Sequence, residues 1–134
     1  FNTSGVPTTN SLVSADILLH TTSTTTVDNA FNLTLVNDGT TAQPLVSTDY
    51  FALLSQTTSW GSVAISSGSI ASQWITLNLN STGLANVNLG GATRFALRSS
   101  RDISVTTPTG DEFIRFSGLG STSPPQMFLR IAMS

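Results

Sequence analysis

The stretch Trp74-Ile75-Thr76-Leu77-Asn78-Leu79-Asn80 decides the fold class. Ile75, Leu77 and Leu79 alternate with Trp74, Thr76, Asn78 and Asn80, and a period of two gives a strand one apolar and one polar face. Upstream the same alternation recurs in Val13, Ala15, Ile17 and Leu19 and in Phe31, Leu33 and Leu35. Downstream it continues in Phe95 and Leu97, in Ile114 and Phe116, and in Met127, Leu129, Ile131 and Met133. Turn-forming residues separate these runs, among them Asn37-Asp38-Gly39, Ser67-Gly68, Gly90-Gly91, Pro108-Thr109-Gly110 and Pro124-Pro125, so about seven or eight strands are expected. Two short helical turns are predicted, one over Tyr50 to Leu54 behind the cap candidates Ser47, Thr48 and Asp49, the other over Thr82 to Val87. Helix should stay below about 10%. The expected architecture is all-β, a single antiparallel β-sandwich of jelly-roll type spanning residues 1–134.

Composition narrows the function. Charged residues are 9% of the chain against about 25% in an average soluble protein, and Ser and Thr, at about 30%, take their place. Steady Val, Ile, Leu and Phe with a net charge of −2 argue against disorder. Five arginines face seven acids, which leaves no basic field for a phosphate backbone and excludes nucleic acid as an expected partner. The absence of cysteine removes disulfides, thiolate nucleophiles and zinc–thiolate sites. No apolar run is long enough for a transmembrane helix. The chain opens on Phe1, as expected of a processed protein or a piece of a longer one. The threonine-rich run Thr21 to Thr26 reads as a β-prone loop, with an O-glycosylated loop as the alternative. The sequons at Asn2, Asn32 and Asn80 are of a kind that arises by chance in so Asn-, Ser- and Thr-rich a chain.

Arg94-Phe95-Ala96-Leu97-Arg98-Ser99-Ser100-Arg101-Asp102-Ile103, followed by Pro108-Thr109-Gly110-Asp111-Glu112-Phe113, resembles the C-terminal part of DNRLRE-type domains. The opening Phe1-Asn2-Thr3-Ser4-Gly5-Val6-Pro7, with Ser14-Ala15-Asp16-Ile17-Leu18-Leu19, is similar to an earlier stretch of the same domains. The resemblance spans nearly the whole chain. It implies a β-sandwich classed with carbohydrate-binding modules of secreted and surface proteins, and an extracellular location. One or more strands usually precede that phenylalanine in relatives, so the sandwich is expected to lack the family's first strand and to present an apolar groove that something fills.

Enzymatic chemistry is not expected. His20 is the sole histidine and no nucleophile-elbow motif accompanies it. Asp111 and Glu112 are adjacent, so on a strand they point to opposite faces and cannot flank a glycosidic bond. Arg98, Arg101, Asp102, Asp111, Glu112 and Arg115 form the densest charge cluster; the structural reading is an arginine–carboxylate network tying two strands together. The alternative is a Ca2+ site on Asp102, Asp111 and Glu112, hard oxygen donors whose charge the three arginines largely cancel. Trp74, Trp60 and Tyr50 could stack on sugar rings. Parity turns Trp74 outward, leaves Trp60 equally suited to core or surface, and Tyr50 is expected to pack within its helical turn.

Two functions follow as expectations. One is a subunit of a surface fibre or pilus-like filament, a homopolymer assembled by β-strand complementation, with the N-terminal segment carrying Phe1 and Val6 as the favoured donor and the apolar ladder of the C-terminal segment Gln126 to Ser134 as the alternative. The other is a carbohydrate-binding module that takes polysaccharide through Trp74.

Overall fold

The structure, a computed structural model, describes residues 1–23, 26–39, 44, 46–110 and 113–132. Asp111, Glu112 and Met133 lie outside the described residues. Two three-stranded antiparallel sheets carry the fold. The first orders β6 (Trp74–Asn78), β1 (Ser11–His20) and β8 (Gln126–Ala132). The second orders β4 (Gly61–Ile65), β3 (Phe31–Val36) and β7 (Ala96–Ser99). A two-stranded ribbon of β2 (Thr26–Val27) and β5 (Gly68–Ser69) sits beside them. The arrangement is the expected all-β sandwich.

Both sheets turn their apolar faces into one core. Ala15, Ile17 and Leu19 of β1 and Leu77 of β6 meet Phe31, Leu33 and Leu35 of β3 and Ile65 of β4. Burial of such faces is the main favourable term in folding a chain without disulfides. Val13 departs from the alternation that placed it with Ala15. The register of β1 against β8 shifts between Leu12 and Ser14, a β-bulge that inserts one residue and reverses the facing of all that precede it. Leu12 therefore packs on the core, and Val13 is exposed.

Helix reaches 12% against 36% strand, above the expected ceiling because a third short helix forms. Helix α1 (Asp49–Leu54) and α2 (Ser81–Ala85) match the expected turns, whereas α3 (Ser100–Ile103) was not expected and carries Arg101 and Asp102 of the charge cluster. Ser99 caps α3 by accepting from the Asp102 N–H at 3.0 Å, an interaction that lets a short polar residue end a strand and start a helix. Asn80 does the same for α2 through the Gly83 N–H at 2.9 Å. The strand expected at Ile114 and Phe116 is reduced to an isolated bridge between Thr21 and Phe116. Thr21 is fully buried and bonds Ile70 and Gln73, so the threonine run begins inside the fold.

The two flanks of the sandwich differ. On one, β4 and β6 are in contact. Trp60 closes it, its N–H donating to the Leu35 carbonyl at 2.8 Å and its own carbonyl accepting from the Asn80 N–H at 2.9 Å. On the other, β7 and β8 end their sheets and make little contact with each other.

Candidate functional site

The open flank is the first feature a partner would meet. Leu97 stands opposite Leu35 in the β3–β7 register and so faces the interior, yet Leu97 is 38% exposed and Leu35 1%. Across the opening, Met127, Leu129 and Ile131 carry the inward face of β8 and are only half-buried. Among the described residues no strand pairs with the outer edge of either β7 or β8. A cavity of ≈ 360 Å³ lies between the N-terminal segment and β8, lined by Phe1, Val6, Met127 and Leu129 with Asn2, Thr3 and Gly5. None of these side chains is charged.

The N-terminal segment borders this opening and is not free. Phe1 donates its terminal ammonium to the Thr93 carbonyl and accepts from the Thr93 N–H, both at 2.8 Å. Asn2 and Ala92 form an antiparallel bridge. Thr3 is buried, its hydroxyl within 2.6 Å of the Asn88 carbonyl and 2.8 Å of the Gly91 carbonyl. Phe1 meets Phe95 edge-on at 6.5 Å, and Phe95 meets Trp60 at 5.7 Å. The segment expected to be a free donor carrying Phe1 and Val6 is thus bonded within its own subunit, through its backbone, the Thr3 hydroxyl and the Phe1 ring. The C-terminal ladder is β8 itself, paired with β1 along its length.

The aromatic candidates separate. Trp60 is core. Trp74 is 45% exposed on the outer face of the first sheet, opposite His20 in register and edge-on to it at 5.0 Å. The same face carries Asn78 donating to Asp16 at 2.6 Å, and Phe128, exposed and opposite Asp16. Tyr50 meets Phe51 of its own helical turn edge-on at 5.8 Å, yet is 59% exposed, and α1 buries none of its residues.

Among the described residues the charge cluster centres on Arg98. Arg98 is 7% exposed. Its Nη1 donates to the carbonyls of Leu53, Leu54 and Gln56 at 3.0, 3.1 and 2.9 Å, and its Nε to Asp102 at 2.6 Å. The planar fork thus ties the end of α1 to β7, a geometry an ammonium could not supply. Arg101 instead reaches the Ala30 carbonyl at 3.4 Å, and Arg115 lies over the Phe113 ring at 5.2 Å. Among the described residues no three His, Asp or Glu side chains come together as a cation site. An ion pair absent from the sequence reasoning, Arg94 with Asp38 at 2.7 Å, anchors the turn at Gly39. No protein family, curated protein or solved structure matches the chain.

Proposed function

We propose that this chain is a non-catalytic structural module, a DNRLRE-type sandwich that serves as a subunit of a surface fibre or pilus-like filament and accepts a β-strand from a neighbouring copy at its open flank. The observation that carries the reading is Leu97, an inward-facing leucine left uncovered beside an unpaired strand edge. Such an edge is a template for pairing with another chain, and few charges guard this one. A contact between an accepting flank and a donated strand is heterologous and propagates unless its rotation closes, and donation by the N-terminal segment or by β8 would require that segment to leave its own subunit. The extracellular setting rests on the family resemblance. Size exclusion with negative-stain microscopy tests the proposal: fibres or very large species that Leu97→Asp reduces to monomers are expected, and a wild-type chain that stays monomeric, or stops at a closed dimer, rejects it.

A second reading, a carbohydrate-binding module, is favoured by the outer face of the first sheet. There Trp74 stands exposed beside hydrogen-bonding Thr76, Asn78 and Asp16, an aromatic body with polar neighbours of the kind that holds a sugar ring.

A further inference from the structure

Resting on the second reading, in which Trp74 meets a sugar, we infer that the ligand is a single neutral sugar ring, free or at a chain end, held in the cleft between β4 and β6 with Trp74 as its wall. The cleft takes the ring, and the flat face that carries Asn78 and Phe128 does not.

Trp60 closes the flank between β4 and β6 near Gly61 and Asn80. Farther along the same flank a cavity of ≈ 380 Å³ opens, lined by Ser66, Ser67 and Ser69 from the end of β4 and β5 and by Gln73, Trp74 and Thr76 from the start of β6, with apolar residues completing it. No lining residue is charged. Among the described residues the side chains of Ser66, Ser67, Ser69, Gln73 and Thr76 make no hydrogen bond to protein. On the flat face, by contrast, Asn78 is already bonded to Asp16 at 2.6 Å.

The wall is fixed before any ligand arrives. Thr21 is fully buried; its hydroxyl donates to the Ile70 carbonyl and accepts from the Gln73 N–H at 2.9 Å, and its N–H donates to the Gln73 carbonyl at 2.9 Å. The turn so clamped holds Ser72 at φ 52°, a left-handed conformation that a residue other than glycine keeps only where its surroundings impose it. The Ser72 N–H donates to the Thr22 carbonyl at 3.2 Å, and His20 meets the Trp74 ring edge-on at 5.0 Å. A site built in advance loses less freedom when it binds.

The lining selects the ligand. Water solvates the free hydroxyls and amide until a ligand displaces it, and an apolar ligand would forfeit those bonds. A charged ligand would give up hydration and find no opposite charge. The indole offers an apolar surface whose negative face attracts C–H groups. A sugar ring has both parts, an apolar C–H face for Trp74 and a rim of hydroxyls for the serines and Gln73. The ≈ 380 Å³ compares with roughly 150 Å³ for a cavity that holds benzene, which gives room for one ring with its hydroxyls.

The test is an NMR titration of the isotope-labelled full chain with glucose, galactose, mannose, xylose and N-acetylglucosamine, and with glucuronate as the charged control. At least one neutral sugar is expected to shift the Gln73 side-chain amide and the Trp74 indole N–H together with the Ser67 and Ser69 amides, and glucuronate to bind about tenfold more weakly or less. Gln73 bonds Thr21 through its backbone alone, so Gln73→Leu should keep the parent's melting temperature and weaken that sugar about tenfold. No cleft shift from any neutral sugar, glucuronate bound as tightly, or Gln73→Leu that binds like the parent overturns the inference. Retention on polysaccharide gels separates it from the reading it rests on. Retention with shifts confined to Asn78 and Phe128 refutes the cleft and leaves that reading standing; cleft shifts from a monosaccharide with no retention on any gel do the reverse.

Discussion

Leu35 and Leu97 face each other across paired strands, share one side of the sheet, and differ in exposure from 1% to 38%. A difference of that size between register partners does not come from either residue's own strand. It comes from the next position in the sheet: β4 covers Leu35, and no described strand covers Leu97. At about 25 cal/mol per Å2 of apolar surface, a strand that covered Leu97 and the half-buried residues of β8 would stabilise the module.

Arg98 should be the most sensitive charged residue. Arg98→Met removes the donors to three carbonyls and to Asp102 and is expected to cost on the order of 3 kcal/mol, a fall of roughly 10 °C in melting temperature. Arg98→Lys should recover little, since one ammonium cannot span both sets of acceptors. Asp102 is 39% exposed in its side chain, so Asp102→Asn should cost under about 1 kcal/mol. Equal losses in thermal melts of Arg98→Met and Asp102→Asn would contradict this assignment.

Gly83 lies in α2, where alanine is ordinarily favoured over glycine by about 1 kcal/mol. A β-carbon there would collide with the Trp60 carbonyl oxygen and crowd Leu79. Gly83→Ala is therefore expected to destabilise by about 2 kcal/mol, and a variant that unfolds at higher denaturant than the parent would show that the helix preference prevails.

Deleting residues 1–6 removes the Phe1–Thr93 pair, the Thr3 hydroxyl bonds and the Phe1–Phe95 contact. The truncated chain is expected to lose about 3 kcal/mol or more. A melting temperature within 2 °C of the parent, on the order of half a kcal/mol, would mean that the segment contributes nothing to its own subunit.

Trp74→Ala tests the carbohydrate reading. The ring meets His20 edge-on and Trp74 is 45% exposed on the outer face, so stability should fall by no more than about 1 kcal/mol. Retention on insoluble-polysaccharide gels should disappear. Unchanged migration of wild type and variant on cellulose, chitin and xylan would count against the second reading.

Alternation in the sequence determined the fold class and the facing of most strand residues, because a period of two is a local property of an extended chain: Ile17, Leu33 and Leu77 point inward wherever their strands pair. It also located the turns, since Gly39, Gly68 and Gly90 adopt the positive φ that their positions require. What alternation does not encode is the neighbour. The bulge that turns Val13 outward depends on the β1–β8 register, the burial of Trp60 on the closing of one flank, and the exposure of Leu97 on the opening of the other. Likewise Arg98 had three nearby carboxylates as candidate partners and took the carbonyls of Leu53, Leu54 and Gln56, at and just past the end of α1, along with Asp102. Hydrogen-bond acceptors on a distant helix leave no spacing signal, so tertiary structure alone decided what that guanidinium holds and which strand edge stays open.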